Sequence, residues 1–145
     1  MRILIVNGEK EEAEIIIDLL KGINSVFDYF WVHDEHEAMA FLKNNYFEAV
    51  LLDYFPTTVA NLYMKIDTRS GIDTAKLIKQ RYPTIKILLF SRLGIDELSI
   101  FEKAGVDVSA LDAIINVDFA MATFSKETFK RMKEGFEEFF KKLYC

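Results

Sequence analysis

Short runs of consecutive apolar residues alternate along this chain with longer segments in which apolar residues return every three or four positions. "RILIV" (2–6) is brief, β-branched and stopped by "NG", the pattern of a buried strand. After it Ala13, Ile16, Ile17 and Leu20 recur at helical spacing, and Gly22 stands where a C-cap glycine belongs. "FDYFWV" (27–32) predicts a second strand. "DEHEAMAFLKNN" (34–45) predicts a helix, with Asp34 as N-cap, Glu37 completing a capping box, and Ala38, Phe41 and Leu42 on one face. "EAVLLD" (48–53) is a third strand, and "SGIDTAKLIKQRY" (70–82) a helix opened by Ser70 and stopped by Pro83. "IKILLF" (85–90) and "DAIINV" (112–117) are the remaining strands, separated by a shorter helix in "DELSIFEKAG" (96–105) that Gly105 closes. The last segment, 125–144, has Ser125 to cap it and a broad stripe of Phe129, Met132, Phe136, Phe139, Phe140 and Leu143. Gly135 inside it costs up to about 1 kcal/mol relative to alanine, so the helix rests on the stripe.

Strands and helices in strict alternation, with strands apolar throughout, predict an α/β domain. Its sheet is parallel, is covered on both faces and is joined by right-handed crossovers. No repeat or linker interrupts the pattern, so 1–145 is expected to be a single domain. In such a sheet ligands bind beyond the carboxyl ends of the strands. Asn7, Gly8, Asp53 and Ser91 all stand at strand ends and are expected at one rim. The segment 54–69 is long for a connection and unusually apolar in "TTVANLYMKI". It is expected to place a short extra helix over that rim, as a lid or a partner surface. Phe139 and Phe140 are adjacent and cannot share one narrow face, which sets a wide core face against an exposed flank.

Composition narrows the chemistry. Half of the 145 residues are hydrophobic and 28% are charged, as in a soluble globular domain. A net charge of −5 with both signs interspersed argues against a broad nucleic-acid-binding face. The one cysteine, Cys145, excludes an intrachain disulfide and points to a reducing compartment. "MRILIVNGEK" is too short an apolar run for a signal peptide, and no later stretch approaches a membrane span. A cytoplasmic location is expected. His33 and His36 have no further ligands at metal-binding spacing.

Together "RILIVNGEKEEAEII", "FEAVLLDYFP", "SGIDTAKLIKQRYP" and "IKILLFSRLG" resemble successive blocks of the response-regulator receiver domain, over nearly the whole chain. The resemblance implies a flavodoxin-like, doubly wound five-stranded sheet of order 2-1-3-4-5 with five helices. It also implies phosphoryl transfer from a histidine kinase to an aspartate ending the third strand. That phosphoacceptor falls on Asp53, and the family's hydroxyl residue ending the fourth strand falls on Ser91. The acidic pair that holds Mg²⁺ in the family falls on Asn7 and Gly8, and the family lysine on Asn116 or Ala122. Asp53 is then the one carboxylate clearly directed at the site, with Glu9 a weak second candidate. Mg²⁺ usually takes one or two carboxylates beside water and phosphate oxygens. Losing one or two electrostatic donors at about 3 kcal/mol each removes several kcal/mol from the transfer step.

The expectation is an atypical, stand-alone receiver, a pseudo-receiver in a two-component system, that signals through protein–protein interaction. Phosphoryl transfer at Asp53 is degraded or absent. The expected partner is a histidine kinase or a downstream effector, or a second copy in a homodimer. The alternative is a working phosphoacceptor in a phosphorelay, with Mg²⁺ held by Asp53 through a rearranged site that Glu9 and loop residues help to form. An enzyme is not expected. A dehalogenase-type phosphatase needs an aspartate where Phe55 stands, "NGEKEE" is not a flavin phosphate loop, and no P-loop or dinucleotide fingerprint occurs.

Overall fold

The computed structural model describes residues 1–53, 70–91, 98–103, 105, 107–116 and 126–144. Along the chain run β1 (Arg2–Val6), α1 (Lys10–Ile23), β2 (Asp28–Val32), α2 (Glu35–Asn44) and β3 (Ala49–Asp53). They are followed by α3 (Ser70–Arg81), β4 (Lys86–Ser91), α4 (Leu98–Lys103), β5 (Ala113–Asn116) and α5 (Lys126–Tyr144). All strand pairs are parallel and the order is β2-β1-β3-β4-β5. This is the expected doubly wound sheet.

Side-chain alternation along the strands divides the apolar residues into two cores. On one face Leu4, Val6, Val50, Leu52, Ile87 and Leu89 pack with Ala38 and Leu42 of α2 and Ala75 and Ile78 of α3. On the other, Ile3, Ile5, Leu51, Leu88 and Phe90 pack with Ile16 and Leu20 of α1 and with Met132 and Phe136 of α5. Phe139 and Phe140 are both buried in that second core. The exposed-flank reading of these two therefore gives way to the wide core face, because a helix lying on the sheet edge beside α1 buries more than one row. Of the four phenylalanines in the stripe, Phe129 is the exposed one, at 41%.

Local chemistry sets the helix ends. Asp34 accepts from the Glu37 N–H at 2.9 Å, and Glu37 Oε2 reaches back to the His33 N–H at 2.8 Å, the anticipated reciprocal cap. Gly22 is not the cap of α1. The helix runs through Ile23, and Asn24 ends it in an extended conformation. There Asn24 Oδ1 accepts from the N–H groups of Val26 and Phe27, which makes the turn that a glycine was expected to make. Gly105 does close α4, at φ 79, with its N–H on the Glu102 carbonyl. Ser125 lies outside the described residues.

β5 begins one residue later than expected because Asp112 acts through its side chain. The Asp112 N–H donates to the Ile87 carbonyl, and Asp112 Oδ2 accepts from the Ile87 N–H, both at 2.8 Å. Lys79 of α3 adds a further contact to that carboxylate at 2.8 Å. Sheet edge, strand entry and helix are thereby joined at one half-buried group.

Gly135 has a packing role that propensity does not reveal. A Cβ there would stand 3.0 Å from Ile115 Cδ1, so its absence lets α5 close directly on β5. Gly135→Ala should destabilise the fold by about 1–2 kcal/mol despite better helix propensity. Ile115→Val removes Cδ1, the nearer of the two crowding carbons, and should recover part of that loss in the double variant. Urea unfolding of the four proteins measures it, and a G135A as stable as wild type would refute the steric account.

Candidate functional site

Parallel pairing carries all strand carboxyl ends to one edge. Val6 is in register with Leu52, Asp53 with Phe90, and Ser91 with Asn116. One step past the Val6–Leu52 pair sets Asn7 beside Asp53. Both are buried, Asn7 at 0% and Asp53 at 2% exposure. Ser91 is the last residue of β4 rather than the first beyond it, and it faces Asn116 across the ladder. Asn7, Asp53 and Ser91 thus do share one rim.

Asn7 is tied on three sides. Its N–H extends the ladder to the Val32 carbonyl at 3.1 Å. Its own carbonyl accepts from Trp31 Nε1 at 2.7 Å. Oδ1 accepts from the Glu9 N–H at 2.7 Å, an Asx turn leading into α1. That last bond decides how the carboxamide is oriented, since an N–H can be answered only by the oxygen. Nδ2 is left buried, with no hydrogen-bond partner among the described residues. A buried unsatisfied donor ordinarily costs about 1–3 kcal/mol.

The other acidic-pair position, Gly8, is exposed and offers no side-chain ligand. Glu9 stands at the N-cap of α1 rather than inside its first turn. It is exposed and its side chain makes no capping bond. Among the described residues no three His, Cys, Asp or Glu side chains gather into a metal-binding group. Among the described residues Mg²⁺ would find there one rim carboxylate, Asp53, beside a carboxamide whose oxygen already accepts a backbone bond. This donor set does not fit an octahedral oxygen-seeking ion. The segment 54–69 and Ala122, one of the two candidates for the family lysine, lie outside the described residues.

The histidines do not converge on a ligand site. The His33 ring stacks on Trp31 at 4.5 Å between centroids, and its Nδ1 is 4.0 Å from Glu37 Oε2. Trp31 was missed as a site residue. Its one sequence signal is position: a lone tryptophan near the end of β2 that shares a sheet face with Tyr29.

No protein-family model matches the chain, and the search of curated proteins finds no match. Solved structures do match. The response regulator TrrA from Thermotoga maritima, in complex with Mg²⁺–BeF, superposes with TM-score 0.62 at 18% identity, covering 90% of this chain and 97% of that one. TrrA in complex with the histidine kinase ThkA gives 0.63 at 20% identity, over 99% and 98% of the two chains. The beryllofluoride-activated NtrC4 receiver domain dimer gives 0.61 at 16%, over 92% and 97%. The chain has the fold of the response-regulator receiver domains.

Proposed function

We propose that this chain is an atypical receiver-type signalling module that acts by binding a protein partner, with phosphoryl transfer to Asp53 degraded or absent. One observation carries the reading: the carboxamide of Asn7, buried beside Asp53, where metal-dependent transfer needs a carboxylate. Transfer of a phosphoryl group depends on positioning and on neutralising the charge that develops. A neutral amide supplies neither a cation nor the negative charge that would hold one, and its oxygen already accepts the Glu9 N–H. Asp53 and Ser91 then remain as rim residues of a signalling scaffold, and Mg²⁺ enters only if Asp53 is modified. The whole chain, 1–145, is taken as one domain acting in the cytoplasm and without catalytic activity. In keeping with that location, no helix among the described residues is long and apolar enough to cross a membrane. The structural neighbours include a regulator solved with its histidine kinase and a receiver domain solved as a dimer. A histidine kinase, a downstream effector or a second copy are accordingly the partner classes for this chain.

Incubation with Mg²⁺ and acetyl phosphate should leave the intact mass unchanged in both the wild type and Asp53→Asn. A phosphoryl adduct that D53N abolishes would establish the phosphoacceptor instead. The converse experiment restores the missing ligands. Trp31 is the only tryptophan and is bonded to the Asn7 carbonyl, so its fluorescence reports on the rim. The wild type should show no Mg²⁺-dependent change. Asn7→Asp combined with Gly8→Asp should gain a saturable one, with thermal stabilisation of about 2.7 kcal/mol at a hundredfold excess over Kd. An equal Mg²⁺ response in the wild type would contradict the proposal.

A further inference from the structure

At the edge of the sheet opposite Asp53, the connections leaving α2 and α3 enclose an open cleft of about 490 Å³. The whole length of β3, four residue steps of about 3.3 Å, separates it from Asp53, which sets the two more than about 13 Å apart. Phe47 and Ile85 form a buried apolar floor. Two phenol rings flank it: Tyr46, 63% exposed, and the half-buried Tyr82. Lys43 and Arg81 stand exposed in its lining, and no acidic residue lines it.

Neither cation has an ion-pair or hydrogen-bond partner among the described residues, whereas Lys10, Lys79 and Arg131 are paired with Glu14, Asp112 and Glu127. Both stand in the last turn of a helix, where positive charge ordinarily answers the negative end of the dipole. Here much of that negative end is already answered from within. Asn45 Nδ2 donates to the Phe41 carbonyl at 2.9 Å, and the Tyr82 N–H to the Ile78 carbonyl at 2.7 Å. The charges of Lys43 and Arg81 are left facing outward. On a chain of net charge −5 they make a locally positive spot. A ligand seated in the cleft feels that spot first, because screening limits reach to a Debye length of about 8 Å.

We propose that this cleft docks an acidic segment of a partner protein carrying one aromatic side chain. The aromatic ring would enter between Tyr46 and Tyr82, whose own exposed ring surface is removed from water by the contact. Flanking carboxylates would meet Lys43 and the guanidinium of Arg81, whose planar fork suits a carboxylate. Exposed tyrosine and arginine around an apolar floor are also the residue types that dominate binding energy at protein interfaces. The site is separate from the Asp53 rim, and its test does not depend on the chemistry there.

A short synthetic peptide with one phenylalanine between glutamates is titrated into the isotopically labelled chain and followed by amide chemical shifts. Two control peptides replace the glutamates by lysine or the phenylalanine by alanine. Shifts should map to 42–47 and 81–85, and both controls should bind at least about tenfold more weakly. Arg81→Glu and Tyr46→Ala, both at exposed positions, should weaken the acidic peptide about tenfold or more. Absence of binding, shifts centred elsewhere, an equal response to the lysine peptide, or unchanged binding by R81E would each overturn the proposal.

Discussion

Parallel strand pairing governs this molecule. Because all five strands run the same way, the residues that end them meet at one edge, and those that begin them meet at the other. The first edge receives Asn7, Asp53, Ser91 and Asn116 from sequence positions more than a hundred residues apart at the extremes. The second receives the helix ends with their basic side chains. Neither group is a cluster in sequence; each is one only because the ladder makes it so.

At the first edge a single hydrogen bond has consequences out of proportion to its energy. The Glu9 N–H needs an acceptor as α1 begins, and Asn7 Oδ1 supplies it. An aspartate could make the same bond and keep a second oxygen for a cation. The asparagine makes it and is left with a donor instead. Turn geometry and ion preference are therefore decided by the same side chain. The indole of Trp31 holds the backbone of that residue in place, and the ring stack with His33 extends the contact toward the exposed start of α2.

Strand positions and the two-sided core were legible in the sequence because apolar runs and helical periodicity are signals of burial, and burial shaped the whole sheet. Asp34 and Gly105 were legible for a related reason: capping is local, and both caps use groups within three residues. What escaped was non-local. Asn24 replaces Gly22 as the turn of α1 because its carboxamide reaches two N–H groups that only the folded loop presents. Gly135 looked like a weak helix position, while its value lies in the approach of Ile115 from a separate strand. At the site, Asp53 and Asn7 could be placed by strand ends alone. The fixed orientation of the Asn7 amide and the part played by Trp31 required coordinates, since neither follows from spacing.

The side chain of Asp112 has an effect on how the sheet can come apart. Its carboxylate and its N–H both hold Ile87, and Lys79 anchors the same carboxylate to α3. The β4–β5 seam is thus riveted where the strands enter. Opening it there has to release the carboxylate from Ile87 and Lys79 as well as break the ladder, so the amide proton of Ile87 is expected to exchange only when Asp112 lets go.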